Sequence, residues 1–313
     1  MTVKIPILLS FYALSNGSTT LTFGQVTYTG ISDLSFREYN RRKTFRTLLK
    51  LYRTHPYANQ HILLVFTHGT VQAETNRHGA FQIKTGKGEI QGELVKVLLS
   101  TGDNVQMVDG LYAKAIHIME GDTIVISDID DTLVHSFIHD KVLKFRTLMF
   151  TTMEKRKTVT NMQELMKNFT AKGAIPIYLS NSEQNLYPLI YRFLQHNDFP
   201  QGPLFLKQMR RLWDVVVNVK IPAKNIHKIN ALEEILNLFP EKKFILMGDN
   251  TQQDVSIYLA AAEKFGSSIQ YIIIRKVVEK KSDVTLIAKA REKLKEDNIG
   301  FYYADEFPRS FEV

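Results

Sequence analysis

The stretch TIVISDIDDTLV, residues 123–134, runs an apolar strand candidate straight into Asp128, Asp130 and Asp131. Carboxylates leave water at a high cost unless they are paired or hold a cation. Acids placed at the end of a buried strand therefore predict a site rather than a turn alone.

Working outward, short apolar runs recur downstream: AIPIYL (174–179), VVVNV (215–219), KFILM (243–247) and IQYIII (269–274). Helical periodicity falls between them, with Met162, Leu165, Met166 and Phe169 on one face. Leu186, Leu189, Ile190 and Phe193 form a second face, and Ile229, Leu232, Ile235 and Leu236 a third. Near-continuous apolar strands alternating with amphipathic helices predict α/β architecture, a doubly wound parallel sheet covered on both sides. Ligands of such sheets bind beyond the carboxyl ends of the strands. Asp128 and Asp130, Ser180 and Asn181 after AIPIYL, and Asp249 after KFILMG all fall at such ends.

Upstream the pattern changes. TLTFGQVTYT, GELVKVLLST and LYAKAIHIM read as strands, and HILLVFTHGTVQAETNRHGAFQIKT as a hairpin pair turning at NRHGAF. Short strands at this spacing predict a small β-sandwich-like domain over residues 1–120, preceding an α/β domain over 121–313. The opening MTVKIPILLSFYALSNGS reads as the first strand rather than a signal peptide, because Pro6, Ser10 and Tyr12 interrupt its apolar stretch. One amphipathic helix, 41–53, interrupts the strands; Phe45, Leu48, Leu49 and Tyr52 make its apolar face. Six Lys and Arg side chains surround that face and no acid does. Such a helix either packs on the domain with a solvated basic rim or lies on an anionic membrane.

The totals set limits. Hydrophobic residues at 44% and charged residues at 23% are those of a globular chain. No cysteine is present, which excludes disulfides, thiolate metal sites and cysteine nucleophiles and fits a reducing, cytoplasmic setting. No apolar run approaches the roughly 20 residues of a transmembrane helix. The net charge of +8 favours phosphate-rich partners, and residues 1–120 carry 13 Lys and Arg against 8 Asp and Glu. No platform of interleaved aromatic and basic residues favours nucleic acid. His135 and His139 sit at a helical metal spacing without a third ligand in view, and read better as part of a flap beside the site. KQMRRLWDVV, residues 207–216, reads as an ordinary amphipathic segment.

The segment SDIDDT resembles the DxDxT motif of the haloacid dehalogenase superfamily, with Asp128 and Asp130 as its paired aspartates and Thr132 closing it. The other motifs of that superfamily follow in order: Ser180 in YLSNS, Lys228 in IHKINALEEIL, and Asp249 and Asp254 in GDNTQQD. Together with the β-rich leading half and ETNRHGAF, the chain is similar to the actin-patch-associated phosphatidate phosphatases and their bacterial relatives. It departs from them after the serine motif, where NSEQNLYP stands in place of proline and tryptophan. That departure bears on the substrate more than on the chemistry.

The resemblance implies a Mg²⁺-dependent phosphomonoesterase with a minimal cap, acting on phosphatidate or a similar lipid. Asp128 would be the nucleophile, passing through an aspartyl-phosphate, and Asp130 the general acid and base. Asp128, the Asp130 carbonyl, Asp249 and Asp254 would hold the metal. Ser180, Asn181, Lys228 and Thr132 would bind the phosphate. Asp131, the variable position, reads as a turn former. The alternatives are a phosphatase for nucleic-acid ends or sugar phosphates, and a binding protein whose β domain is the working part. A peripheral membrane contact would run through the basic first domain.

Overall fold

A computed structural model describes residues 5–30, 34, 40–135, 157–207, 226–278 and 281–307. Contacts divide it into two compact units. One comprises Met1–Glu120 with Glu183–Phe193 and residues 206–207; the other comprises Gly121–Ser182 with Leu194–Phe205 and the described residues beyond 225.

The first unit begins with two long strands, β1 (Ile5–Ser15) and β2 (Thr19–Thr29). Helix α1 (Arg41–Tyr52) follows, then β3 (His55–Pro56), β4 (His61–His68), β5 (Thr70–Glu74) and β6 (Ala80–Gly86). β7 (Gln91–Leu99), β8 (Asn104–Met107) and β9 (His117–Ile118) complete it. Hydrogen bonds join all nine into one mixed, curled sheet in the order β3-β2-β1-β8-β7-β4-β5, with β6 on β2 and β9 on β1. This corrects the expected sandwich of two sheets. β1 is long enough to pair with β8 near its start, Ile7 opposite Gln106, and with β9 at its end, Leu14 opposite His117, both in parallel.

The expected hairpin turn is corrected too. β4 folds back on β5 through Gly69, whose φ of 92° is a left-handed conformation natural to glycine, with Phe66 N–H bonded to Gly69 O at 3.0 Å. The later NRHG turn is closed by Asn76 Oδ1, which accepts from His78 N–H and Ala80 N–H at 2.8 and 3.2 Å. It sends β6 to pair with β2 instead of β5. LYAKAIHIM gives only the two-residue β9.

Helix α1 starts at an Asn40 cap, whose Oδ1 accepts from Lys43 N–H at 2.8 Å. It buries Thr44, Thr47, Leu48 and Leu51, a stripe rotated about one residue from the expected Phe45, Leu48, Leu49 and Tyr52. Arg42, Lys43, Arg46, Lys50 and Arg53 are exposed.

From residue 121 the chain alternates strand and helix: β10 (Thr123–Ser127), α2 (Thr160–Ala171), β11 (Ile175–Glu183), α3 (Tyr187–His196) and β12 (Leu204–Lys207), with residues 183–193 and 206–207 falling in the first unit. Then come α4 (Ile226–Leu238), β13 (Lys243–Asp249), α5 (Asp254–Phe265), β14 (Ile269–Arg275), α6 (Lys281–Glu296) and β15 (Gly300–Ala304). β12, α6 and β15 lie outside the strands and helices expected from sequence. VVVNV, KQMRRLWDVV beyond residue 207, and His139 of the expected flap lie outside the described residues.

The sheet order is β12-β11-β10-β13-β14-β15. β10 pairs in parallel with both β11 and β13, and β14 and β15 continue in parallel. The chain winds first to one side of β10 and then to the other. Such winding covers both faces of a sheet and opens a crevice at the carboxyl ends where the order reverses, here beside β10. The strands read as unbroken apolar runs because both faces are covered: Ile124, Val125, Ile126, Phe244, Ile245, Leu246 and Met247 have no exposed surface.

Candidate active site

The crevice is where the aspartates stand. Asp128 is the first residue past β10, and its N–H bonds Met247 O of β13 at 2.9 Å, so the neighbouring strand fixes its position. Buried Ile129 and Leu133 anchor the loop that follows. Asp131 takes a left-handed turn at φ 60°, tolerable for Asp, and Arg275 Nη1 donates to its carbonyl at 2.6 Å.

Asp249 ends β13 and Asp254 opens α5. One oxygen from each of Asp128, Asp249 and Asp254 lies within 4.8 Å of the others, and all three side chains are buried. Lys228 reaches the cluster from α4, its Nζ 2.8 Å from Asp128 Oδ1 and 2.5 Å from Asp254 Oδ1, with no exposed surface. The helical stripe expected from sequence begins at Ile229, which is 38% exposed. The buried face begins at Lys228 instead and continues through Ala231, Leu232 and Ile235.

Thr132 Oγ1 lies 3.2 Å from Asp128 Oδ2 and 3.2 Å from Asp249 Oδ2. Expected against a phosphate, it is instead directed at the two carboxylates and braces them. Asp249 Oδ1 also accepts from the N–H and hydroxyl of Thr251. Gly248 keeps room for Asp254: a Cβ there would lie 2.7 Å from Asp254 Oδ2 and 2.9 Å from the Tyr258 ring.

Asp130 contributes no side-chain oxygen to this cluster. Its Oδ2 accepts from Ser180 Oγ at 3.1 Å and Ser182 Oγ at 2.7 Å. Ser180, expected to hold phosphate, thus faces Asp130 here. Asn181 points the other way, its Nδ2 3.0 Å from Gln252 Oε1. His135 follows the motif with its backbone N–H on Lys157 O at 3.0 Å. The sequence pattern does not reveal Gln252, Arg275 or Tyr258, which carry no local signal. Ser182, two residues beyond Ser180 on β11, shares its face of the strand, since alternate residues point the same way.

The electrostatics follow from burial. Desolvation pushes the Asp128 carboxyl well above the usual range; Lys228 opposes this, while Asp254, Asp249 and Asp130 add to it. Asp249 is pushed up to about 7, chiefly by burial and then by Asp254. Burial alone would lower Lys228, but Asp128 and Asp254 overcome it and hold the ammonium well above its ordinary value. One ammonium among three buried carboxylates leaves two negative charges uncompensated when all are ionised. Hard oxygen donors with that deficit fit a divalent cation. The cluster could hold a metal ion.

Fold and site together define a parallel α/β unit with an acidic, lysine-bridged cluster at the carboxyl ends of its first and fourth strands in chain order. Residues 123–276 match the family model described as the catalytic domain of phosphatidate phosphatase APP1. The chain is 32% identical over 162 residues to phosphatidate phosphatase APP1 of Saccharomyces cerevisiae, covering 51% of this chain and 27% of that protein. It is 25% identical over 242 residues to an uncharacterised protein of Schizosaccharomyces pombe, covering 74% of this chain and 38% of that one. The chain thus spans well under half the length of either relative. A carbohydrate acetylesterase from Xanthomonas citri aligns over 97% of this chain and 69% of its own at 10% identity, with a TM-score of 0.34, too slight a likeness to bear on the fold. Segment 123–276 is thus similar in sequence to the catalytic domain of phosphatidate phosphatase APP1.

Proposed function

We propose that this chain is a Mg²⁺-dependent phosphatase of the haloacid dehalogenase type that hydrolyses phosphatidate to diacylglycerol. The observation that carries this reading is the fully buried group of Asp128, Asp249, Asp254 and Lys228 at the mouth of the parallel sheet. Residues 121–313 are the catalytic part in this reading, and residues 1–120 the attached β-rich part.

The divalent cation would be held by Asp128, Asp249, Asp254 and the Asp130 carbonyl. When bound, it would supply the positive charge that lets a phosphate dianion approach buried carboxylates. Asp128 attacks phosphorus, forming the aspartyl-phosphate as the ester P–O bond breaks. Asp130 gives its proton to the departing alkoxide, then takes one from the water that cleaves the phosphoenzyme. Lys228, 2.8 Å from Asp128 Oδ1, orients that carboxylate and offsets charge as the transition state forms. Thr132 braces Asp128 against Asp249. Ser180 and Asn181 serve the phosphate oxygens.

A phosphatidate phosphatase works at a bilayer surface. No helix among the described residues is long and apolar enough to cross a membrane. Helix α1 buries Leu48 and Leu51 and exposes Arg42, Lys43, Arg46 and Lys50, with Arg53 just past its end, so charge is its main means of contact with anionic lipid. Each such cation contributes about 1 kcal/mol near an anionic leaflet. Raising salt should release the protein from anionic vesicles while hydrolysis of a soluble phosphomonoester stays nearly constant; parallel loss of both would argue against a separate docking surface.

The deciding experiment measures phosphate release from liposomal phosphatidate, phosphorylated oligonucleotides and sugar phosphates, each with Mg²⁺ and with chelator. Preference for phosphatidate, abolished by chelator and by Asp128→Asn, is the expected result. Turnover that persists in Asp128→Asn sinks the mechanism, and preference for another substrate sinks the lipid assignment.

A further inference from the structure

Ser180 and Ser182 lie two apart on β11, so both side chains leave the same face of the strand. Both hydroxyls meet one atom, Asp130 Oδ2, at 3.1 and 2.7 Å. Ser182 N–H also donates to Ser180 Oγ at 2.9 Å. That bond occupies a lone pair of Ser180 and leaves its hydrogen for Asp130.

We infer that Ser182 is a positioning residue for Asp130, holding the carboxyl of the proposed general acid in one orientation. The inference rests on the reading of Asp130 as that acid. Two hydroxyl donors meeting one oxygen, Oδ2, fix the rotation of the Asp130 carboxyl. When the ester bond breaks, the proton of that carboxyl passes to the leaving alkoxide and the carboxylate remains. In the second step the carboxylate takes a proton from the attacking water. Both serine hydroxyls keep their own protons throughout. Ser180 is the serine expected to turn toward phosphate when substrate enters. Ser182, with the shorter bond, then holds Asp130 on its own.

A positioned acid matters in proportion to how badly the leaving group needs a proton. A nitrophenolate departs without help, whereas an alkoxide does not. The test measures kcat/KM for the full chain with Mg²⁺ across aryl and alkyl phosphomonoesters of graded leaving-group pKa. Ser182→Ala should lose about tenfold on alkyl esters, the order of one hydrogen bond to a charged group. It should lose no more than about threefold on p-nitrophenyl phosphate, so that its leaving-group dependence steepens. Ser182→Thr, which keeps the hydroxyl, should restore the wild-type slope. In the Asp130→Asn background, adding Ser182→Ala should cost no further activity, since there is no acid left to position.

Equal losses on aryl and alkyl esters, or a further loss in the double variant, would make Ser182 merely structural and overturn the inference. If Ser182→Ala does not fold, Ser182→Gly is measured by the same slope. Asp130→Asn separates the two levels. Loss selective for alkyl esters there, with a wild-type slope in Ser182→Ala, removes the positioning role alone. An unselective loss in Asp130→Asn removes the acid assignment and the positioning role with it.

Discussion

The two units bury polar side chains of different kinds. In the curled-sheet unit every buried polar side chain described is neutral: Ser10, Thr22, Gln25, Thr27, Thr75 and their like. Several are tied to main-chain carbonyls, as Thr27 Oγ1 is to His55 O at 2.9 Å, Thr75 Oγ1 to Tyr57 O at 2.6 Å, and Gln25 Nε2 to His78 O at 2.9 Å. In the parallel-sheet unit Asp128, Asp131, Asp249, Asp254 and Lys228 are buried, and Lys228 bridges Asp128 and Asp254 beside Asp249. A neutral hydroxyl on a carbonyl closes a turn and satisfies the backbone. Like charges packed together oppose folding, so their retention marks a candidate functional site.

That contrast can be broken by experiment. The largest effect is expected from Asp128→Asn, which removes the proposed nucleophile while keeping its size. Turnover should fall at least about 10³-fold with circular dichroism unchanged. Lys228→Met comes next, leaving Asp128 and Asp254 buried without their cation. Denaturant melts of metal-free protein should show a loss of about 3–5 kcal/mol, and an unchanged midpoint would refute the electrostatic account.

The pH dependence has a defined sign. Asp249, raised from 3.8 to about 7 in the metal-free fold, keeps a proton that the unfolded chain releases. Its contribution to stability is complete below 3.8, declines as pH rises toward about 7, and is flat beyond. The slope is about 1.4 kcal/mol per pH unit for each such proton. Asp128 is displaced in the same direction. Thermal melts without metal should therefore lose midpoint across that window relative to Asp249→Asn, and stabilisation by added Mg²⁺ should grow with pH. A window identical in Asp249→Asn would contradict this.

Smaller effects sharpen the comparison. Gly248→Ala forces a methyl group against Asp254 and Tyr258, and about 1–3 kcal/mol of strain should appear together with weaker Mg²⁺ binding by calorimetry. Thr75→Val in the other unit should cost about 1–2 kcal/mol through the carbonyls it abandons, yet leave kcat of the folded protein unaltered. A Thr75→Val protein that is stable but slow would mean that the division between structural and chemical burial is wrong.

Several features are legible in the chain's local pattern. Apolar runs ending in acids give β10 and β13, and the periodicity of Met162, Leu165, Met166 and Phe169 gives α2, with all four buried. Other features escape that pattern for identifiable reasons. A hydrophobic stripe cannot announce that its first buried member is Lys228, because only Asp128, just past β10, and Asp254, at the start of α5, make burial of that ammonium tolerable. The NRHG segment carries turn residues, but which strands a turn joins depends on partners elsewhere in the sheet, here β2. Helix α1 buries Thr44 and Thr47, which a count of apolar residues passes over.

By itself the sequence determined which residues end strands, which helices have an apolar side, and which acids stand where a parallel sheet opens. These follow from local periodicity and from the cost of leaving charge beside an apolar run. Only the tertiary structure decided that β13 lies against β10, that one lysine bridges Asp128 and Asp254, and that two serines converge on Asp130. Those relations join residues as many as 120 positions apart, Thr123 opposite Lys243, brought together by strand order and packing that no local pattern encodes.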